Sequence, residues 1–199
     1  MLQHLVLASN NAGKLREFST LLAQLGIQNV QPQGALQVPE VNEPYGTFIE
    51  NALHKARHAS HLTGLPALAD DSGLCVDTLN GAPGVLSARF AGREKSDAAN
   101  TARLLTDLAH NTARRAHYYC VLVLVRHAND PQPIIADGLW HGEILATPQG
   151  TGGFGYDPVF WLPQQQCSVA ELSAEEKNRL SHRAQAMARL SNMLREFSA

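Results

Sequence analysis

The chain is poor in cysteine, in net charge and in long apolar runs, and each shortage excludes a class of protein. Three cysteines (Cys75, Cys120 and Cys167) in 199 residues are too few and too scattered for a disulfide framework or a zinc site. Their odd number fits a reducing compartment, and Cys75 and Cys120 lie in apolar runs, where a free cysteine serves as a small core residue. The formal net charge is only −2, so no basic field invites a nucleic-acid backbone, and phosphate chemistry must come from a few placed cations. The longest apolar run, Cys120 to Val125, is far too short to span a bilayer. The opening Met1-Leu2-Gln3-His4-Leu5 lacks the charged start and apolar stretch of a secretory signal. The expectation is a cytoplasmic protein with no nucleic-acid partner and no membrane association.

What remains is an ordinary globular composition, 44% hydrophobic and 17% charged, with no repeat, low-complexity tract or linker. One domain spanning residues 1–199 is expected. Leu5-Val6-Leu7-Ala8 reads as a buried strand. After the polar loop Ser9-Asn10-Asn11-Ala12-Gly13-Lys14, a helix carries Leu15, Phe18, Leu21, Leu22 and Leu25 on one face and stops at Gly26. A loop rich in Gln, Pro and Gly follows, then a helix from Thr47 to Thr63 with a capping box at Thr47 and Glu50 and a stop at Gly64. Ala67-Leu68-Ala69 is a buried strand running into Asp70-Asp71-Ser72-Gly73. A third helix is expected from Asp97 to Ala109, and a strand from His117 to Arg126. The turn Asn129-Asp130-Pro131 leads into a partner strand, Ile134 to Ile144. A last helix carries Met187, Leu190, Leu194 and Phe197. This order of elements predicts an α/β domain, a mixed β-sheet flanked by helices.

Several segments have chemical potential. Ser9–Lys14 combines a helix start with a lysine, which is a phosphate site or a tight turn with a solvated lysine. It is not a P-loop, because Ala8 and Leu15 stand where that motif needs glycine and a hydroxyl residue. Asp70 and Asp71 are adjacent carboxylates where strand formers belong, and like charges there are costly without a cation. Alternation along a strand points one of the two into a given site. Such oxygen ligands suit Mg²⁺, which takes one or two carboxylates plus phosphates; the alternative is an Asx-turn ending the strand. Glu50 is explained by the capping box, whereas Glu43, in a loop, is freer to reach a metal. Lys55 faces phosphates or water. Phe154-Gly155-Tyr156-Asp157 is a base-stacking platform or a turn with a packed ring. Ser181 is an N-cap candidate, which makes His182 and Arg183 donors at a helix start or a solvated basic pair. His110, His117, His127 and His141 lack ligand spacing and read as structural or surface residues.

Taken in order, these segments resemble the inosine triphosphate pyrophosphatase family, in its bacterial-type branch acting on noncanonical purine nucleotides. The resemblance rests on Ser9-Asn10-Asn11-Ala12-Gly13-Lys14, on Thr47-Phe48-x-Glu50-Asn51-Ala52-x-x-Lys55-Ala56 and on Ala69-Asp70-Asp71-Ser72-Gly73-Leu74. Gly81-Ala82-Pro83-Gly84 with Ser87-Ala88-Arg89 adds to it, as do Gly152-Gly153-Phe154-Gly155-Tyr156-Asp157-Pro158, Glu171-Leu172-x-x-Glu175-Glu176-Lys177-Asn178 and Ser181-His182-Arg183. Ser9 stands where threonine is more usual, and Asn42 where an acidic residue is common. The family implies an elongated sheet, two lobes with a nucleotide cleft between them, and a homodimer. It implies Mg²⁺-dependent hydrolysis of ITP, dITP and XTP to monophosphate and pyrophosphate. Asp71 would hold the metal or activate the attacking water, with Glu43 as a second acidic partner. Lys14, Lys55 and Lys177 would neutralise phosphate oxygens, aided by Asn11, Ser72 and the loop amides. His182 and Arg183 donate to a 6-oxo group and would be left unpaired by adenine's amino group, while the Phe154–Asp157 loop would fit around the 2-position. The rival readings are a pyrophosphatase for pyrimidine or modified nucleotides, a nucleotide-binding module without turnover, and a metal-dependent phosphatase or phosphodiesterase.

Overall fold

The computed structural model describes residues 4–24, 26, 27 and 29–196. Leu25 and Phe197, expected on the apolar faces of the first and last helices, lie outside the described residues, as do Met1, Leu2 and Gln3. Among the described residues, seven strands form one mixed sheet in the order β2-β1-β3-β4-β5-β6-β7. They are β1 (His4–Leu7), β2 (Asn29–Pro32), β3 (Ala67–Val76), β4 (Arg115–Val125), β5 (Ile134–Ile144), β6 (Phe160–Leu162) and β7 (Cys167–Ser168). β1 runs parallel to β2, pairing Leu5 with Val30, and parallel to β3, pairing Leu7 with Leu68. β6 runs antiparallel to β5 and to β7. The helices are α1 (Ala12–Gln24), α2 (Phe48–Thr63), α3 (Asp97–Asp107), α4 (Ala174–Leu180) and α5 (His182–Glu196).

The residues cluster into two compact units. The first is drawn from Met1–Asp71, Cys120–Gly138 and His182–Ala199. Its core joins Leu5 and Leu7 of β1, Phe18 and Leu22 of α1, Leu122 and Leu124 of β4, and Met187 and Leu190 of α5. The second is drawn from Ser72–Tyr119 and Leu139–Ser181, and its core joins Leu74, Leu104, Tyr118, Trp140, Tyr156 and Phe160. Burial of these side chains is the main drive for folding.

Most expected elements are present, with instructive differences. β5 has the bounds its alternation predicts, and β4 begins two residues early, at Arg115. α1 starts at Ala12, so Gly13 and Lys14 belong to its first turn rather than to a loop. β2 and β7 arise where no strand was expected, because they are four and two residues long and too short for a period to register. The largest difference is β3. Of the two readings of Asp70-Asp71, the Asx-turn fails: the strand runs through both, ten residues in all from Ala67 to Val76. Two charged residues can occupy a buried strand because each meets a lysine there.

Candidate active site

The carboxylates of β3 organise the site in the first unit. Their neighbours on the strand, Ala67, Leu68 and Ala69, are fully buried, and so nearly are Asp70 and Asp71. Alternation sends consecutive side chains to opposite faces, and each aspartate accordingly meets a different lysine. Lys14 Nζ lies 2.7 Å from Asp70 Oδ2. Lys55 Nζ lies 3.3 Å from Asp71 Oδ1 and 2.5 Å from Glu43 Oε1. Burial pushes the Asp70 acidity toward the neutral form, but Lys14, Lys55 and Arg183 outweigh it and hold its pKa below the usual carboxylate value. At Asp71 burial wins: with Glu43 adding to it against the pull of Lys55, the carboxyl is pushed up. Burial disfavours the Lys55 ammonium, yet Asp71, Asp70 and Glu43 together raise its pKa.

Local chemistry fixes both lysines. Asn11 precedes α1 and accepts from Lys14 N–H at 3.1 Å through Oδ1, while Asn11 N–H donates to Ser9 Oγ at 3.3 Å. This is an N-cap at the positive end of the helix, where the first-turn amides favour an anion. Asn10 Nδ2 donates to Glu40 Oε1 at 3.1 Å and braces the loop. Lys55 sits on α2, whose N-cap Thr47 accepts from Glu50 N–H at 3.3 Å and whose end is Gly64 in the left-handed region. The Glu50 carboxylate serves this cap, accepting from Thr47 Oγ1 at 2.6 Å.

His182 and Arg183 open α5 and are buried, 2% and 5% exposed, so they are not a solvated basic pair. Arg183 Nη1 donates to Glu17 Oε2 at 2.9 Å. Burial works against the Arg183 cation, but Glu17 and then Asp70 more than offset it. Glu17 on α1 was not foreseen. Its sequence signal is its place three residues after Lys14, on the same helix face.

In the second unit, Asp157 organises the glycine-rich loop. Its Oδ2 accepts from Phe154 N–H at 2.9 Å and from Lys177 Nζ at 2.7 Å, and its Oδ1 accepts from Tyr118 OH at 3.3 Å. Lys177 Nζ also stands 4.2 Å from the centre of the half-buried Phe154 ring, a cation–π contact. Tyr156 belongs to the core, and its hydroxyl donates to Ser87 O at 2.9 Å. Gly153 has φ +74°, and a Cβ there would fall 2.1 Å from Asp157 Oδ2, so only glycine lets the loop close on this carboxylate. Gly155 N–H donates to Asp97 Oδ2 at 2.6 Å. Ser72, the next residue after Asp71 on β3, is half-buried.

Among the described residues no group of three or more His, Cys, Asp and Glu side chains gathers as a metal cage. The Glu43–Asp71 pair instead offers hard oxygen donors to a single cation, with the Lys55 ammonium in that place. This suits a small divalent ion that completes its shell with phosphate and water. Of the four histidines read as structural or surface residues, His110, His127 and His141 are exposed, and His117 lies against His141 with ring centres 5.7 Å apart.

Residues 5–193 match the Ham1 family. The chain is 64% identical over its full length to a dITP/XTP pyrophosphatase from Chromobacterium violaceum, also matched over its full length. It is 62% identical, over 98% of each chain, to one from Ralstonia nicotianae. Among solved structures, a HAM1 protein from Coxiella burnetii superposes with a TM-score of 0.91 at 49% identity, covering 98% of this chain and 100% of the other. The Ham1 protein of Staphylococcus aureus superposes with a TM-score of 0.86 at 38% identity, covering 97% and 98%. The family match spans every segment on which the sequence resemblance rests, and the chain belongs to the Ham1 family.

Proposed function

We propose that this Ham1 protein is a nucleoside-triphosphate pyrophosphatase that hydrolyses ITP, dITP and XTP to the monophosphate and pyrophosphate. Support comes from relatives above 60% identity that bear the name dITP/XTP pyrophosphatase. The observation that carries the reading is the pair of lysines, one on α1 and one on α2, converging on adjacent buried aspartates of β3. Cations held this way are already largely stripped of water, so they act on a phosphate at low local dielectric.

In this reading Lys14 and Lys55 receive phosphate oxygens, with the first-turn amides of α1, Ser9, Asn11 and Ser72 as further donors. Asp71 accepts the proton of the attacking water or orients that water, and its raised pKa suits an acceptor. Lys177 and the Phe154–Asp157 loop are further substrate-binding candidates, as the family resemblance implies. Glu43 and Asp71 are the residues that would hold Mg²⁺, which when bound supplies charge neutralisation at the triphosphate. His182 and Arg183 donate to the 6-oxo group of the base. A buried site built on such bonds rejects adenine by roughly 10⁴-fold. A cytoplasmic homodimer completes the reading.

The test is product analysis by anion exchange, with the purified protein, Mg²⁺ and each of ITP, XTP, dITP, GTP, ATP and UTP. The expected products are IMP or XMP with pyrophosphate, and GTP and ATP nearly untouched. Release of inorganic phosphate overturns the cleavage site, and equal use of UTP overturns the purine assignment.

A further inference from the structure

Lys55 joins two carboxylates that come from different parts of the chain, Glu43 from the segment before α2 and Asp71 from β3. Its ammonium is 2.5 Å from one and 3.3 Å from the other, and its side chain is only 13% exposed. Two carboxylates brought this close, with little water between them, repel unless a cation intervenes. In this protein the cation is part of the chain. We propose that Lys55 is a built-in counter-ion: it holds Glu43 and Asp71 together in the nucleotide-free protein and keeps a divalent cation away from them until a triphosphate draws the ammonium off. The inference rests on the reading of Glu43 and Asp71 as the metal-facing carboxylates.

Charge decides the order of events. Lys55, Glu43 and Asp71 together carry one net negative charge, and the neighbouring pair Lys14–Asp70 is neutral. A free divalent ion entering this set meets the ammonium at close range and must displace it with no anion ready to receive it. A triphosphate changes the balance. Lys55, on its flexible four-carbon stem, passes to phosphate oxygens, and the two carboxylates are released to the cation that accompanies them. No charge is left unpaired and no covalent bond is broken. The protein therefore takes up metal and nucleotide together, and metal alone only weakly.

The probe is Mn²⁺ binding to the nucleotide-free, full-length protein, read by electron paramagnetic resonance, for wild type, Lys55→Met, Lys55→Gln and Lys55→Met with Asp71→Asn. Removing the ammonium is expected to tighten Mn²⁺ binding by about tenfold to a hundredfold, the scale of one charge at close range in a partly desolvated site. The double variant should lose that gain. Folded Lys55 variants that bind Mn²⁺ no better than wild type overturn the proposal. Nitrogen NMR of the wild-type lysine ammonium groups tests it without any variant. The Lys55 signal should stay in place on adding Mg²⁺ alone and move on adding Mg²⁺ with tripolyphosphate; movement with Mg²⁺ alone overturns the idea. ITP turnover by Asp71→Asn separates the two levels. Loss of turnover without a gain in metal affinity at Lys55→Met removes the counter-ion role only, whereas normal turnover removes the metal-site reading beneath it.

Discussion

Arg183 Nη1 donates to Glu17 Oε2 across 2.9 Å, tying the first turn of α5 to the middle of α1. Both side chains are shielded, 6% and 13% exposed. The contact therefore holds the direction of a guanidinium proposed to donate to the base. Glu17→Ala leaves a buried cation short of its partner and should cost about 3 kcal/mol. Glu17→Gln keeps a hydrogen-bond acceptor and removes the charge. It should lower the ratio of kcat/KM for ITP over ATP by about tenfold, a fraction of what a hydrogen-bonded site can discriminate. An unchanged ratio in the folded variant would show that Arg183 finds its place without Glu17. Arg183→Ala should erase the preference altogether.

Asp71→Asn keeps the size of the side chain and removes its charge and basicity. Turnover of ITP should fall on the order of a thousandfold, the scale for losing one oriented group at a reacting centre. The thermal transition should remain cooperative, since the Lys14–Asp70 pair is untouched. Steady-state rates with a parallel melting curve measure both, and near-normal rates in a folded variant would remove Asp71 from the mechanism.

The strength of this site was only half legible in the sequence. The Asp70-Asp71 pair stood out because charge is expensive in a buried strand, and Lys14 because a lysine at a helix start makes a phosphate site. The pairing of each aspartate with its own lysine was not legible, since it depends on α1 and α2 meeting β3 from distant parts of the chain. Periodicity gave α1, α2, α3, β5 and α5 because each is long enough to show a period. It missed β2, a polar segment Asn29–Pro32 whose only claim to be a strand is a parallel neighbour, β1. Tyr156 misled for the opposite reason. A tyrosine among glycines suggests an exposed ring, whereas the chain turns it into the core, with its hydroxyl on Ser87 O. Asp97 read only as a residue at a helix start, and its bond to Gly155 spans 58 residues.

Asp130, at the turn between β4 and β5, makes stability depend on pH. Its carboxylate accepts from Arg126 N–H at 2.9 Å, Arg126 Nε at 2.8 Å and Gln132 N–H at 2.9 Å. The hydrogen bonds from the Arg126 side chain, against the opposing effect of burial, hold its pKa well below the usual carboxylate range. A depressed folded pKa contributes stability above the unfolded value and loses it as pH falls through the folded one. Wild type should therefore lose its advantage over Asp130→Asn as pH drops below about 3.9, the ordinary aspartate value. Melting temperatures from pH 7 downward measure the gap. A gap that stays constant into acid would mean the charge contributes nothing.

Asp97 Oδ2 accepts from Gly155 N–H at 2.6 Å and so fastens the loop of Phe154 and Asp157 to the start of α3. A charge-assisted bond of this length is stronger than a neutral one. Asp97→Ala should free the loop and raise KM for ITP by about tenfold, the cost of one such bond, while kcat stays within a factor of about two. Asp97→Asn, which keeps an acceptor oxygen, should recover most of the loss. An equal fall in kcat for both variants would assign Asp97 to the stability of the start of α3 alone.

Gly138 on β5 lies directly against the first turns of α5. A Cβ there would stand 2.1 Å from His182 O and 2.7 Å from Ala186 N, both backbone atoms that cannot swing aside. Gly138→Ala must therefore push the start of α5 outward, and His182 and Arg183 move with it. Overpacking of this kind costs about 1–3 kcal/mol, but the more telling effect is on selectivity. The proposed donors to the base should shift while Lys14, Lys55 and Asp71 stay in place. The rate with ITP should fall more than the rate with ATP, bringing the two kcat/KM values together. If both fall in proportion, the displaced helix acts through stability alone, and the close approach at Gly138 has no part in reading the base.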